Sequence, residues 1–347
     1  MRAYLAALPD YVCRVSVDRY ERPGRRAKFR RRDRLKLEVA FVGGRELYGL
    51  PGAARLEDGH IDRLTGGSGA MSTGSFAMHL RELFATDRGD ATGARMVKEQ
   101  GREAARLDFR VARNRSGLSV SSGSYSALVG YSATVLLAPE TLEPEWLQVR
   151  FEEVPERIRL ARSVETTTYR RVRIGDREIA LPGSTVLELE TRSGLGMRNE
   201  IQYQDCRRYE ADSKVSFGDA VPGTAEAPAA GVPPGTEVTL VLETAVTRES
   251  ATGDAVTLRV VEGAGIPAGA KVTGHIVRLR RQDPDSNVYL IAMRLEKLEV
   301  ERRSGPFRAR LKGVDGRAYR VMDGGGLLAT GRGFPLRAGL RLVWVTE

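Results

Sequence analysis

The sequence predicts a mainly β protein of two domains: an N-terminal curved antiparallel half-barrel with a few covering helices, and a smaller C-terminal β-barrel or sandwich. Three observations carry this expectation. At 347 residues the chain exceeds what one core usually serves. Aromatic residues make up 6% of it while glycine alone supplies 38 positions, which suits many short strands joined by turns. Period-two alternation recurs along the chain. It is clearest from Tyr169 to Glu190, where a strand, a tight turn at Gly175-Asp176, a short strand, a Leu-Pro-Gly break and a further strand make a meander corner.

In chain order, residues 1 to 8 make a short amphipathic helix with Tyr4, Leu5 and Leu8 inward, stopped by Pro9. Tyr11 to Tyr20 follows as a strand. Arg22 to Arg34 then packs eight basic residues and one acid around a Pro-Gly turn. Leu35, Leu37, Val39 and Phe41 alternate with polar or small residues, and Gly43-Gly44 closes a hairpin onto residues 46 to 50. A Gly-rich loop from Gly66 to Gly74 leads into a helix over Gly74 to Thr86, with Phe76, Leu80, Leu83 and Phe84 on one side. It reads either as a lid over a curved sheet or as an ordinary covering helix. His79 lies at the flank of that stripe and reads as a surface or capping residue.

Further strands are expected near 95–98, 105–112, 118–121, 128–137, 145–151, 163–174 and 199–208. The domain boundaries follow: 1–217, a Pro/Ala/Gly-rich linker over 218–234, and 235–347. In the last of these, strands are expected over 238–246, 255–261, 272–280, 288–300, 306–312 and 340–345, with 324–333 as loop.

A net charge of +10 and a pI near 9.8 favour an anionic partner or surface. Arg30, Arg31 and Arg32 are the candidate contacts to an anionic membrane surface, each basic residue there being worth about 1 kcal/mol. The same run would also serve as a solvated hairpin tip. Phe29 is its one aromatic, which argues against base stacking and so against nucleic acid as partner. No apolar run approaches the roughly 18 to 20 residues of a membrane span, so the chain is expected to be soluble as given.

The chemistry-bearing patterns are poor. There is no G-x-x-x-x-G-K-[ST] and no H-E-x-x-H, and the three histidines, His60, His79 and His275, are scattered. Gly66 to Ala70 misses the last glycine of a nucleophile elbow. Asn114-Arg115-Ser116 matches a glycosylation sequon, a match common by chance. Glu152-Glu153 and Glu188/Glu190 are paired carboxylates set among arginines, which reads as exposed strand face. The expectation is a non-enzyme with no catalytic residue, no metal and no cofactor. Cys13 and Cys206 are either two free thiols or one long-range disulfide.

Residues 1 to about 217 resemble the lipoprotein-carrier superfamily, the LolA/LolB-like fold, on Tyr169, Gly175, Leu181 and Pro182 with Trp146 and Phe151 preceding them. That resemblance implies an incomplete antiparallel barrel whose concave apolar face receives acyl chains. It also implies an exported, periplasmic protein whose signal peptide is absent from this sequence, and a compartment in which Cys13 and Cys206 can pair, these lying in the first and last strands of a curved meander. Residues 235 to 300 resemble β-barrel domains of envelope proteins of the TrbI type. The function expected is therefore a non-enzymatic cell-envelope protein binding a lipid-like or other apolar ligand, with Leu35, Leu37, Val39, Phe41, Phe76, Leu80, Leu83 and Phe84 lining the cavity and the C-terminal domain docking on an envelope partner. The alternative is a structural or interaction protein of an envelope assembly, with a filled core and no small ligand.

Overall fold

The computed structural model describes residues 1–53, 56–58, 77–86, 88–99, 101–123, 125–209, 232–263, 265–282, 286–301, 303–331 and 334–347. The fold is predominantly β, as the sequence predicts, and divides into two compact units: Met1–Arg31 with Leu37–Tyr209, and Arg32–Lys36 with Glu210–Glu347. Most of the expected linker, and Phe76 of the expected helical stripe, lie outside the described residues.

In the first unit, helix α1 (Arg2–Ala6) precedes β1 (Tyr11–Arg22), β2 (Arg30–Val42), β3 (Arg45–Gly49) and the two-residue β4 (Glu57–Asp58). Helix α2 (Met78–Ala85) follows, then β5 (Asp90–Glu99), β6 (Arg102–Val111), the small strands β7 (Ser119–Ser122) and β8 (Tyr125–Leu128), β9 (Gly130–Leu137) and β10 (Pro144–Glu152). The long strands β11 (Leu160–Ile174), β12 (Arg177–Thr191) and β13 (Gly196–Arg208) complete it. Among the described residues the large sheet has eleven strands in the order β4-β3-β2-β1-β13-β12-β11-β10-β9-β6-β5, so the last strand returns beside the first. Strands β7 and β8 pair only with each other there.

Register explains the interior. Residues directly opposite one another share a face of the sheet. One row therefore runs Phe109 (β6), Ala133 (β9), Val149 (β10), Glu165 (β11), Leu187 (β12), Asn199 (β13) and Arg19 (β1). All seven are buried. The row is apolar over β6, β9 and β10 and turns mostly polar from Glu165 onward.

Two details of the meander corner differ from expectation. Gly175, at φ 60°, supplies the positive φ of the two-residue turn between Ile174 and Arg177, as the sequence indicates. The Leu181-Pro182-Gly183 segment, however, breaks nothing: β12 is one 15-residue strand, and the register steps there, Tyr169 facing Pro182 while Thr168 faces Ser184. A bulge takes up the extra residue, and a proline without an N–H is tolerated at such a site.

The second unit contains β14 (Glu237–Leu242), β15 (Ala255–Gly263), β16 (Lys271–Arg281), β17 (Tyr289–Val300), β18 (Arg303–Pro306), β19 (Ala309–Val314), β20 (Tyr319–Val321), β21 (Leu327–Ala329) and β22 (Arg341–Thr346). They form a near-closed barrel in the order β19-β22-β14-β15-β16-β17-β21-β20, with β18 on β17. Trp344, Leu240, Leu258, Ile276, Ile291 and Phe334 are among the residues that fill it. The segment expected to be loop over 324–333 contains β21, because Leu327 and Ala329 are needed in that core and are fully buried. The unit also takes in Arg32–Lys36: Leu35 bridges Thr252, and Lys36 Nζ donates to Asp254 Oδ1 at 2.7 Å.

Cys13 and Cys206 form a disulfide. A bulge brings them together. Between the pairs Val12–Arg207 and Arg14–Gln204, the single residue Cys13 opposes both Asp205 and Cys206, and Asp205 sits at φ 48°. Without that extra residue, alternation along β13 would place Asp205 on the face that Cys13 occupies. The bond closes a loop of 193 residues, worth up to about 5 kcal/mol of denatured-state entropy in the chain-entropy model. Thiol titration in denaturant without reductant should find no free thiol, and Cys13→Ala with Cys206→Ala should lower the unfolding free energy by up to that amount. Two titratable thiols per chain would contradict the pairing.

Candidate functional site

The site begins with two carboxylates that strand geometry turns inward. On β11, Ser163, Glu165 and Thr167 alternate onto the buried face. On β3 the buried pair is Glu46 and Tyr48, while the apolar Leu47 between them stays half-exposed. An ionised carboxylate in such a place needs donors or a counter-charge, since the uncompensated burial costs several kcal/mol.

Helix α2 supplies both. The residue that precedes it, Ala77, has no side chain able to cap, so the first N–H groups need an outside acceptor. Glu46 Oε1 accepts from Ala77 N–H at 2.9 Å and Met78 N–H at 3.1 Å, and Glu46 Oε2 accepts from the Tyr48 hydroxyl at 2.5 Å. A negative charge at this end also suits the helix dipole. One residue on, His79 Nε2 lies 3.0 Å from Glu165 Oε1, with both side chains almost fully buried. His79 is thus neither a surface residue nor a cap, correcting the sequence expectation. It shares its face with Leu83, four residues on, and that i, i+4 spacing was the available signal.

Burial, the largest single influence, pushes the His79 imidazole down. The Glu165 carboxylate, by charge and by hydrogen bond, acts with Glu46 and Glu82 in the opposite sense, and the net direction is up from the ordinary 6.5. Burial first, and then Glu46, hold the Tyr48 hydroxyl well above its usual range. Burial does the same for Tyr169. Among the described residues, His79 Nδ1 and the Tyr169 hydroxyl are enclosed without a hydrogen-bond partner. The arrangement can hold a proton at an internal ion pair. Among the described residues no group of three His, Cys, Asp or Glu side chains is placed to hold a metal ion.

The residues expected to line a cavity fall as follows. Leu80 and Leu83 are buried in a cluster with Leu5, Phe109, Val111, Tyr131, Val135, Leu147 and Val149, and Phe84 packs on its edge, its ring 5.1 Å from Phe109 in an edge-to-face contact. Leu37, Val39 and Phe41 are buried on β2, and Leu35 is buried in the second unit. An open depression of about 390 Å³ is lined instead by Arg113, Asn114, Tyr125, Ala127, Leu128 and Pro155, none of them among those eight.

The basic run is largely engaged. Arg22 Nη2 and Arg25 Nε bond the two oxygens of Glu190 at 2.7 and 2.8 Å, Arg22 stacks on Phe29, and Arg31 lies 3.7 Å from Asp18. Arg30 is exposed, while Arg31 and Arg32 are half-buried on β2. Of the carboxylate pairs, Glu152 and Glu153 both face Arg110.

No family profile matches the chain, and no curated protein matches it. Solved structures show distant similarity. A LolA superfamily protein from Nitrosomonas europaea aligns at 12% identity over 57% of this chain and 86% of that one, with a TM-score of 0.27. A DUF1329 family protein from Desulfovibrio piger aligns at 12% over 60% and 88%, with a TM-score of 0.29. The MucA/MucB complex of Pseudomonas aeruginosa aligns at 14% over 99% and 91%, with a TM-score of 0.19. The LolA/LolB-like resemblance thus meets a distant, partial similarity, and alignments at these values carry nothing about ligand, partner or location.

The buried pair yields a two-part prediction. His79→Leu should cost about 3 to 5 kcal/mol by stranding Glu165, and adding Glu165→Leu should recover most of it, as removal of both charges leaves none unpaired. A raised folded-state pKa gives stability that is fully present below the ordinary value of 6.5 and is lost as pH rises through the higher folded value. Urea midpoints of the wild type should therefore fall as pH rises above neutral, and those of the double variant should fall less. A double variant as unstable as the single one would refute the pairing.

Proposed function

We propose that this chain is a non-catalytic, exported protein of the cell envelope that works by binding another protein, and that its first unit is a filled scaffold with no lipid cargo. One observation carries the reading. The inner face that a carrier would leave open for acyl chains is occupied by its own groups: Leu80, Leu83 and Phe84 pack into the apolar half, and the His79–Glu165 pair sits beside them. A desolvated ion pair at the middle of the inner row is a poor neighbour for hydrocarbon. The Cys13–Cys206 disulfide supports an oxidising compartment. The surplus of positive charge suits an acidic partner.

Native mass spectrometry of the protein purified from a lipid-containing extract tests this directly. The bare chain mass is expected in repeated preparations. An acyl adduct that survives gel filtration and scales with the chain would overturn the reading in favour of a carrier.

A further inference from the structure

The open depression in the first unit combines features that the buried cluster lacks. Its walls are Tyr125, Ala127 and Leu128 of β8 together with Pro155, and its polar side is Arg113 and Asn114 from the turn after β6. Leu128 is 45% exposed, a large apolar side chain held open to solvent. Arg157 is not itself a lining residue, but its guanidinium lies over the ring of the lining Tyr125, 4.7 Å from its centre, which sets a second cation beside the depression.

Charge decides what fits. The backbone of Arg113 is anchored, its N–H donating to Glu153 Oε2 at 3.1 Å, yet among the described residues its guanidinium meets no carboxylate within ion-pair distance. The same holds for Arg157, while the neighbouring acids are engaged elsewhere: Glu153 with Arg110 and Glu156 with Arg192. Two unpaired arginine forks beside an apolar wall recognise a carboxylate attached to an apolar group. Tyrosine and arginine at the edge of a concavity are also the side chains that concentrate binding energy at protein interfaces. A volume of about 390 Å³ suits one or two side chains of a docked segment.

We propose that this depression receives an acidic segment of a partner protein, an apolar side chain entering against Ala127 and Leu128 while a neighbouring carboxylate meets Arg113 and Arg157. The proposal rests on the protein-binding reading above and names the chemistry of the partner. Specificity comes from the pairing of the two features. A lysine-bearing segment meets like charge there, and a purely apolar one leaves both guanidinium groups unanswered.

The test uses a peptide labelled at its N-terminus, fluorescein-Leu-Asp-Leu-Glu-Leu-amide, and its counterpart with lysine at both acidic positions, titrated against the full chain by anisotropy. The wild type should bind the acidic peptide saturably and with marked salt dependence, and the lysine peptide much more weakly. Arg113→Glu with Arg157→Glu should weaken the acidic peptide by about tenfold or more and reverse the preference. Leu128→Ser should weaken both the acidic peptide and its competition by unlabelled peptide, with unchanged thermal unfolding confirming that each variant folds. No saturable binding at millimolar peptide, or binding that the double reversal leaves unchanged, would overturn the site. So would loss of binding to anionic vesicles in the double reversal with no peptide binding, which would mark the arginines as membrane contacts. Peptide binding that persists in the double reversal leaves the chain a protein binder with its site elsewhere, whereas an acyl adduct strikes at the broader reading.

Discussion

The first unit depends on how two inward carboxylates are compensated. Glu165 and Glu46 come from strands far apart in sequence, and burying a carboxylate without donors or a counter-charge costs several kcal/mol. Helix α2 answers both within its first turn, giving two N–H groups to Glu46 and an imidazole to Glu165. The helix is therefore located at its N-terminal end by charge and along the rest of its length by Leu80, Leu83 and Phe84. An element tied in both ways has little freedom to swing, because opening it would expose apolar surface and strand two charges at once.

The inner face is graded to match. Along the row from Phe109 to Arg19, the strands under the apolar stripe of α2 present Phe109, Ala133 and Val149, and the far strands present Asn199 and Arg19. Glu165 stands at the change. Along this row the apolar surface of β6, β9 and β10 is interrupted at the middle strand. The disulfide acts at the polar end, where a bulge at Asp205 turns Cys206 toward Cys13 and joins the first strand of the large sheet to the last.

Much of this architecture was legible in the chain. Alternation placed the strands, Gly175 marked the turn, and the apolar stripe gave the sense of α2. The charged centre was not legible, for physical reasons. In Glu165 to Thr168 both faces of the strand are polar, so alternation carries no sign of which side is buried. In Arg45 to Gly49 the buried residues are Glu46 and Tyr48, and the one aliphatic residue, Leu47, is on the wetter face. The donors that compensate Glu46 on that inward face come from a helix more than thirty residues away. Pro182 misled in the other direction, since a bulge lets the strand continue through it.

Amide hydrogen exchange along α2 tests the filled, charge-anchored interior most directly. If the helix is part of the core, the hydrogen-bonded amides of residues 82 to 85 should exchange only through global unfolding, at rates matching those of Val149 and Thr167 in the central strands. Exchange of those helix amides orders of magnitude faster than the strands, under conditions where the sheet stays protected, would contradict the account and make α2 a mobile cover.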